Sequence, residues 1–289
     1  VLFLHGGPGV CERHQVLEYQ SGLAETATLV CWDQRGSGLS YDKKLDPKTM
    51  TVSRMVDDAA ELVDLLRNRF GKEKVLVVGH SWGTLLGMLL AHRYPDGIRA
   101  YIGMGQYVYG DENEAISYRF VYDEALRRGD KKAVRALERI GAPVKGHYKS
   151  LDDLMVQRNL MTKYGGGTFG KKDSLMKSLV IPLLKTPEYS LLDIKKYRDG
   201  AFFSLKTLWE EVVDVNFFEE VKSLPMPVYL TEGRHDQNTP IPIAQRWFDA
   251  LEAPKKEWIW FEHSAHTPMI EEPEKWGETL KRIVLENRD

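Results

Sequence analysis

Residues 79–83 read Gly-His-Ser-Trp-Gly and stand between an apolar run at 74–78 and a second, longer apolar segment at 84–92. The two segments predict a strand that turns sharply into a helix, with Ser81 at the tip of the turn. The flanking glycines remove Cβ atoms that would collide with the opposing chain in so tight a turn. The helix points free N–H groups and its positive dipole end at the space beside Ser81. The stretch therefore predicts a nucleophilic serine, with an ordinary glycine-rich turn as the alternative at this point.

The composition is typical of a globular protein with an ample hydrophobic core. Of the 289 residues, 43% are hydrophobic and 28% are charged, and the net charge is -2. This charge balance offers little attraction to nucleic acid or to an anionic membrane surface. The two cysteines have no metal-ligand spacing and favour a reduced, cytoplasmic setting, and we expect no metal or other cofactor. No apolar run approaches the roughly 20 residues of a membrane span.

Residues 79–83 are called the elbow below. Outside the elbow, short apolar strands alternate with amphipathic helices. Strands are predicted at 1–4, 28–32, 98–104, 226–231 and 257–261, and helices at 51–70, 243–251 and 273–286. Continuous apolar strands of this kind are buried on both faces of a parallel sheet. We therefore predict an α/β fold with a mostly parallel sheet and helices on both faces.

The alternation stops between residues 106 and 217, a stretch called the helical insertion below. Helical patterns are predicted at 115–126, 131–140, 151–161 and 202–213, and loops at 164–170 and 181–187. The insertion shows no convincing buried strand. The predicted division is therefore a core made of residues 1–105 and 218–289, with a helical insertion at 106–217.

Chemically useful residues follow four of the predicted strands. They are the His-Gly-Gly segment at 5–7, Ser81, Asp236 and His266. In an open parallel sheet, the loops at the carboxyl ends of the strands gather at one edge and carry function. A nucleophilic serine needs a base that takes its proton, and the base needs a carboxylate that fixes its tautomer. Serine, aspartate and histidine, in this chain order, meet that requirement.

Five motifs resemble those of the α/β-hydrolase-fold serine hydrolases, and within them the prolyl iminopeptidase (S33 peptidase) group. The motifs lie at 5–9, 33–38, 79–83, 233–236 and 266–268. The resemblance to the fold family covers the whole chain, whereas the resemblance to the iminopeptidases rests mainly on the first three motifs, which esterases share. The resemblance implies cleavage of a small amide or ester through an acyl-enzyme. The leading interpretation is an aminopeptidase. A carboxylesterase is the alternative, and a catalytically silent binding module is a remote one.

The resemblance also implies roles for individual residues. Ser81 is the expected nucleophile, His266 the general base and acid, and Asp236 the orienting carboxylate. The expected oxyanion hole consists of the backbone N–H groups of Gly7 and Trp82, with Gly6 as a less favoured donor.

Several neighbouring residues are expected to play supporting roles. His263 is the rival base, and His266 is preferred because Pro268 and Glu271 follow it with the spacing of the family. His5 and His80 are expected to be structural, and Asp33 and Arg35 to hold the loop after their strand.

The helical insertion is implied to be a cap that covers the pocket and selects the substrate. Its aromatic candidates for substrate contact are Tyr107, Phe169, Phe203 and Trp209. An aminopeptidase must bind a free ammonium group, and the candidate carboxylates are Glu210, Glu211 and Glu232. Arg234 stands where some relatives have a glutamate, which leaves room for an esterase. The expected partner is a small molecule or a short peptide, without nucleic acid or membrane.

The first strand raises a separate expectation about the sheet. The fold normally has two further strands before the strand that ends in His-Gly-Gly, whereas this sequence opens with that strand. We therefore expect a truncated or processed chain with a sheet of about six strands, whose strand at 28–32 forms an exposed edge.

Overall fold

The computed structural model describes residues 1–169, 183–184, 186 and 189–288. In this part of the chain, six strands form one sheet: β1 (Leu2–Leu4), β2 (Val30–Trp32), β3 (Val75–His80), β4 (Ile98–Met104), β5 (Val228–Gly233) and β6 (Lys256–Phe261). The strand order is β2-β1-β3-β4-β5-β6, and all neighbouring strands are parallel. The predicted parallel sheet of about six strands is confirmed, and β2 lies at one edge.

The described helices include all those that were predicted, and three helices that were not. The described helices are α1 (Arg13–Gln20), α2 (Val52–Phe70), α3 (Trp82–Arg93), α4 (Gly110–Arg127), α5 (Lys131–Ile140), α6 (Leu151–Lys163), α7 (Leu191–Val213), α8 (Phe217–Glu220), α9 (Ile241–Ala250), α10 (Pro268–Glu271) and α11 (Pro273–Glu286). Those that were not predicted are α1, α8 and α10, and both α4 and α7 start earlier than predicted. Helix α1 was not predicted, because its sequence has little amphipathic pattern and no side chain caps its start. Helix α7 starts well before residue 202 because Ser190 and Asp193 form a capping box at its start. None of the described helices combines the length and apolar character that a membrane span needs.

The sheet separates two apolar layers. Val77 and Val78, neighbours on β3, belong to different layers because successive strand side chains point to opposite faces. Helices α2, α3 and α9 supply one layer, and α1 and α11 the other. Helices therefore cover both faces, as predicted.

The described part of the helical insertion follows β4 and precedes β5. Helices α4, α5 and α6 share a small apolar core that includes Val121, Leu137 and Met161. The side-chain amide of Asn113 on α4 donates to the carbonyl oxygen of Asn238 (3.0 Å), which lies in the loop after β5. This bond attaches α4 directly to the loop that carries Asp236. The loop predicted at 181–187 lies largely outside the described residues, whereas residues 164–169 form turns and bends as predicted.

The turn between β3 and α3 has the strained geometry that its glycines predict. Ser81 has φ 53° and ψ −118°, and α3 begins at the next residue. A Cβ atom on Gly83 would lie 2.0 Å from the carbonyl oxygen of Leu4 on β1. A Cβ atom on Gly79 would lie 2.3 Å from the carbonyl oxygen of Gly83. Only glycine at both positions lets the serine turn pass this close to the sheet.

Replacement of Gly83 by alanine tests this close approach. The added methyl group meets backbone, so the start of α3 and β1 must move apart, and we expect the free energy of unfolding to fall by about 3 kcal/mol. The matched control is Gly22→Ala, since a Cβ atom at Gly22 has nothing within 4 Å. Urea denaturation of both variants measures the difference. Equal stability of the two variants would show that the elbow tolerates a side chain at residue 83.

Candidate active site

Asp236 and His266 form a buried, hydrogen-bonded pair at the carboxyl ends of β5 and β6. The Nδ1 atom of His266 lies 2.7 Å from Oδ2 of Asp236, and the two side chains are 7% and 0% exposed. The other oxygen of Asp236 accepts the backbone N–H groups of Asn238 (2.8 Å) and Thr239 (3.0 Å). The hydroxyl of Thr239 donates to Oδ2 of the same carboxylate at 2.8 Å. The carboxylate is thus fixed from several sides, and it in turn fixes the imidazole.

This arrangement determines which nitrogen of His266 can act as a base. Because Nδ1 faces a carboxylate, it carries the proton, and the lone pair of Nε2 is free. The Nε2 atom is buried and has no hydrogen-bond partner among the described residues. Ser81 is partly exposed at the end of β3, and the residue before it, His80, contacts the backbone carbonyl oxygen of His266 through its Nε2 atom (2.9 Å). Gly105 makes room for the imidazole, since a Cβ atom there would lie 2.8 Å from the ring of His266.

The structure separates His266 from the rival base His263. His263 is exposed, and its backbone N–H donates to Glu272 (3.0 Å). Its ring lies beside Phe169, with the two ring centroids 6.3 Å apart. Of the two histidines, His266 alone has a contact with Asp236 in the described structure.

The loop after β1 approaches the elbow from the other side. Trp82 is the first residue of α3, where backbone N–H groups have no partner within the helix. Gly6, expected to be the less favoured donor, has a backbone hydrogen bond to the carboxylate of Glu12. Gly6 is therefore engaged, and Gly7 and Trp82 remain the candidate oxyanion donors.

Gln34 links this loop to the elbow, a role that the sequence reasoning missed. Its side-chain amide donates to the carbonyl oxygen of His5 (3.2 Å), and its carbonyl oxygen accepts the indole N–H of Trp82 (2.8 Å). Gln34 is completely buried. It lies between two motif residues for which only a loop-holding role was expected, Asp33 and Arg35.

Asp33, Arg35 and His5 take part in the surrounding loop structure. Asp33 accepts the backbone N–H of Leu39 (2.9 Å), and Arg35 makes a two-pronged ion pair with Asp58 on α2. His5 accepts the backbone N–H of Gln34 on Nε2 at 3.2 Å. These bonds match the supporting roles expected for the three residues.

Two of the three candidate ammonium-binding carboxylates have other partners. The side chain of Glu210 is 74% exposed and pairs with His147 (2.7 Å). Glu211 is exposed, and it accepts the first N–H of α2, that of Val52, at 2.7 Å. The two side chains are thus a surface ion pair and a helix cap, so neither offers the buried, unpartnered oxygen that a pocket anchor requires.

Glu232 is buried within the sheet, close to the aspartate of the site. Its Oε1 atom accepts the backbone N–H of Gln106 (3.0 Å), and its Oε2 atom has no hydrogen-bond partner among the described residues. Burial, and secondarily the charge of Asp236, raises the pKa of Glu232 well above its usual range. The raised pKa favours the neutral form of Glu232, and a neutral acid is a poor partner for a substrate ammonium group.

The aromatic candidates line the contact between the helical insertion and the core. Tyr107 is buried, and its hydroxyl donates to the carbonyl oxygen of Val212 (3.0 Å). Phe203 packs beside Tyr41 with ring centroids 5.6 Å apart. Trp209 is 8% exposed, and its indole N–H has no partner among the described residues.

A charged pair inside the helical insertion was also missed by the sequence reasoning. Glu114 on α4 is completely buried and pairs with Nη2 of Arg158 on α6 at 2.6 Å. The guanidinium of Arg158 lies over the ring of Trp209, 5.4 Å from its centroid. The second oxygen of Glu114, Oε2, is buried without a partner among the described residues. A glutamate in an amphipathic helix usually faces solvent, so no sequence signal marked it.

The fold and the site together define the class of protein. The chain belongs to the α/β-hydrolase fold family, whose family model matches residues 1–273. It is a hydrolase, and a probable aminopeptidase of Bacillus subtilis, YbaC, is 34% identical to it over 284 residues, covering 98% of this chain and 87% of that protein. A proline iminopeptidase of Clostridium botulinum is 24% identical over 293 residues, covering 99% of this chain and 90% of that protein.

Solved structures confirm the fold. A proline iminopeptidase of Mycobacterium smegmatis has a TM-score of 0.61 at 20% identity, covering 99% of this chain and 89% of that one. A thermophilic esterase of Thermogutta terrifontis has a TM-score of 0.62 at 17% identity, covering 100% of this chain and 90% of that one. Peptidases and esterases thus share this fold, and the fold alone does not distinguish their substrates.

The burial of Glu232 predicts a pH-dependent stability. Its pKa is raised in the folded state, so above the ordinary pKa of about 4.5 the unfolded chain releases a proton that the folded chain retains. This difference lowers the free energy of unfolding as the pH rises toward the folded pKa. Glu232→Gln, which keeps the neutral shape, is therefore expected to gain stability relative to wild type over that range. Urea denaturation between pH 4 and pH 8 measures the gain.

The control for this measurement is Glu278→Gln, which neutralises an exposed carboxylate on α11. Its stability difference from wild type should stay nearly constant with pH. A Glu232→Gln difference that is equally flat would mean that Glu232 is ionised in the folded protein.

Proposed function

We propose that the protein is a serine aminopeptidase that releases the N-terminal residue of a short peptide or a small amide through an acyl-enzyme on Ser81. The observation that carries the proposal is the buried pair of Asp236 and His266. The Nε2 atom of His266 has no hydrogen-bond partner among the described residues, and the backbone of His266 contacts His80 of the elbow. The aminopeptidase and proline iminopeptidase names of the relatives support the substrate class.

In the proposed mechanism, Nε2 of His266 accepts the proton of Ser81 as Oγ attacks the substrate carbonyl carbon. The tetrahedral oxyanion is stabilised by the N–H groups of Trp82 and Gly7, each typically worth about 3 to 4 kcal/mol. The imidazolium, held by Asp236, then gives its proton to the leaving amine, and the C–N bond breaks. Water attacks the resulting ester by the same route, which releases the acid and regenerates the serine.

An aminopeptidase also needs an acceptor for the substrate ammonium group, and we assign this role to Glu114. Asn113, the preceding residue, is bonded to the loop that carries Asp236, so this end of α4 adjoins the triad. Arg158 occupies one oxygen of Glu114 and leaves Oε2 unpartnered. A buried carboxylate oxygen without a partner costs free energy, which a bound ammonium group would recover.

In this proposal the helical insertion acts as the cap. The backbone N–H of Tyr107, at its start, donates to the hydroxyl of Thr84 (2.9 Å), and that hydroxyl donates to the carbonyl oxygen of Ser81 (2.6 Å). The insertion is thereby bonded to the elbow itself. Side chains from α4, α6 and α7 meet at Glu114, Arg158 and Trp209 and would select the substrate.

A carboxylesterase is the second candidate, and Arg158 is the observation that favours it. Its guanidinium balances the charge of Glu114, and a neutral pair attracts a cation less strongly than a lone carboxylate does. An esterase with the same triad needs no ammonium anchor.

Rates on two substrates separate the candidates. The aminopeptidase proposal predicts that proline p-nitroanilide is cleaved, and that Ser81→Ala lowers kcat by at least about 10⁴-fold with little change in folding. Rapid cleavage of p-nitrophenyl acetate with no anilide cleavage would instead establish the esterase. A Ser81→Ala variant that retains full activity would contradict both.

Glu114→Gln tests the ammonium anchor. The variant removes the charge but keeps the shape, and we expect kcat/KM for proline p-nitroanilide to fall by about 10- to 100-fold while p-nitrophenyl acetate cleavage changes little. The matched control on the same insertion is Glu210→Gln, whose exposed side chain should leave both rates unchanged.

A comparison of substrates makes the test independent of any loss of folding. Wild-type enzyme should prefer proline p-nitroanilide over its N-acetylated form, which carries no ammonium charge. Equal rates on the two substrates would contradict an ammonium anchor at any residue.

A further inference from the structure

His80, the residue before the nucleophile, sits between a carboxylate and the loop of the catalytic base. Its Nδ1 atom lies 2.5 Å from Oε1 of Glu12, and its Nε2 atom lies 2.9 Å from the backbone carbonyl oxygen of His266. The side chains of His80 and Glu12 are 9% and 11% exposed. The proposed function gives neither of them a role.

The geometry defines the protonation state of the pair. A backbone carbonyl oxygen can only accept, so Nε2 of His80 must donate to His266. Nδ1 faces a carboxylate that also engages the backbone of Gly6, so it too donates. An imidazole that donates from both nitrogens is an imidazolium, and Glu12 is its buried counter-ion.

The pair joins three loops of the site. Glu12 comes from the loop after β1, His80 is the last residue of β3, and His266 lies in the loop after β6. A Cβ atom on Gly6 would lie 3.1 Å from Nδ1 of His80 and 3.2 Å from Oε1 of Glu12. The glycine of the first loop therefore lets the ion pair lie directly beside the nucleophile turn.

We propose that Glu12 and His80 form a positioning pair that holds the His266 loop against the elbow and sets the proton affinity of His266. The inference rests on the proposed function, because it assigns the pair a role in the reaction of Ser81 and His266. Besides Glu12, the titratable groups that act on His80 are His5, Asp236 and His266, from the loops after β1, β5 and β6. The rings of His80 and His266 have centroids 4.9 Å apart, so a charge on one acts strongly on the other.

The electrostatics of the pair support its charged form. Burial lowers the pKa of His80, but the charge and hydrogen bond of Glu12 outweigh it, so the pKa of His80 is raised. Burial likewise acts to raise the pKa of Glu12, and His80 reverses this and lowers it. The stabilisation from His80 is therefore present below its unfolded pKa of about 6.5 and is lost as the pH rises through the folded value.

Glu12→Gln removes the charge of the pair while it keeps hydrogen-bonding atoms, since the amide can donate to Nδ1 of a neutral His80. Without the nearby cation, His266 binds its proton more tightly. The acid limb of the pH–rate profile should therefore move up by about half a pH unit or more, and the maximal rate should fall by roughly tenfold. The measured quantity is the rate at which a fluorophosphonate labels Ser81 between pH 5 and pH 10. Glu12→Asp, which restores the charge, should move the limb back toward wild type.

The matched control is Asp58→Asn, which breaks the ion pair between Arg35 and Asp58 of α2 and leaves the pair of Glu12 and His80 unchanged. Its acid limb should coincide with that of wild type. Absence of labelling in wild type would overturn the proposed function and this inference with it. Labelling of wild type with a Glu12→Gln profile that coincides with the Asp58→Asn profile would overturn the positioning pair alone.

A second measurement on wild type needs no variant to fold. Long-range ¹H–¹⁵N correlation spectra at pH 7 should show both ring nitrogens of His80 at imidazolium shifts, with both protons bonded. A neutral tautomer, with one nitrogen at the shift of an unprotonated ring atom, would contradict the pair.

Discussion

The close approach of the serine turn to the first strand constrains the rest of the site. Gly83 passes so near the carbonyl oxygen of Leu4 that a Cβ atom would lie 2.0 Å from it. The turn can form only where β1 lies directly beside β3, which is the neighbour relation in the sheet. The same neighbour relation brings the loop after β1 alongside Ser81, since a Cβ atom on Gly6 would lie 3.4 Å from the Cβ atom of Ser81. One packing constraint thus assembles the proposed nucleophile and the proposed oxyanion donors together.

Buried charge is distributed around the turn in two carboxylate–histidine pairs. Asp236 holds His266 on one side, and Glu12 holds His80 on the other. The two rings are in close contact, so each pair lies in the electrostatic field of the other. Glu232 is a third buried carboxyl group, and burial, with the charge of Asp236, raises its pKa and so favours its neutral form. The negative charge of Glu12 is therefore balanced by the imidazolium of His80, and that of Asp236 is stabilised by the hydrogen-bond donors around it, as a low-dielectric environment demands.

The features that were predictable from the sequence are those marked by a local residue pattern or by the order of the motif residues along the chain. The parallel sheet follows from continuous apolar strands, and the grouping of Ser81, Asp236 and His266 follows from their positions at strand ends. The pairing of Glu12 with His80 was not predictable, because the two residues are 68 positions apart in the sequence. Glu12 also stands just before α1, a helix without a strong sequence pattern. Glu114 was missed for a related reason, since its burial depends on how α4 packs against α6. Glu210 and Glu211 were candidates because the resemblance implies an acidic residue from the cap, and the sequence could not show that they pair with His147 and with the first N–H of α2.

The measurement that tests the central claim most directly is the capture of a covalent intermediate. Wild-type enzyme mixed with a slowly deacylating prolyl ester and quenched with acid should carry one acyl group. Mass spectrometry of the digested protein should place that group on Ser81, and the His266→Ala variant should accumulate none. Turnover of the ester without any acylated Ser81, or an acyl group on another residue, would contradict the account.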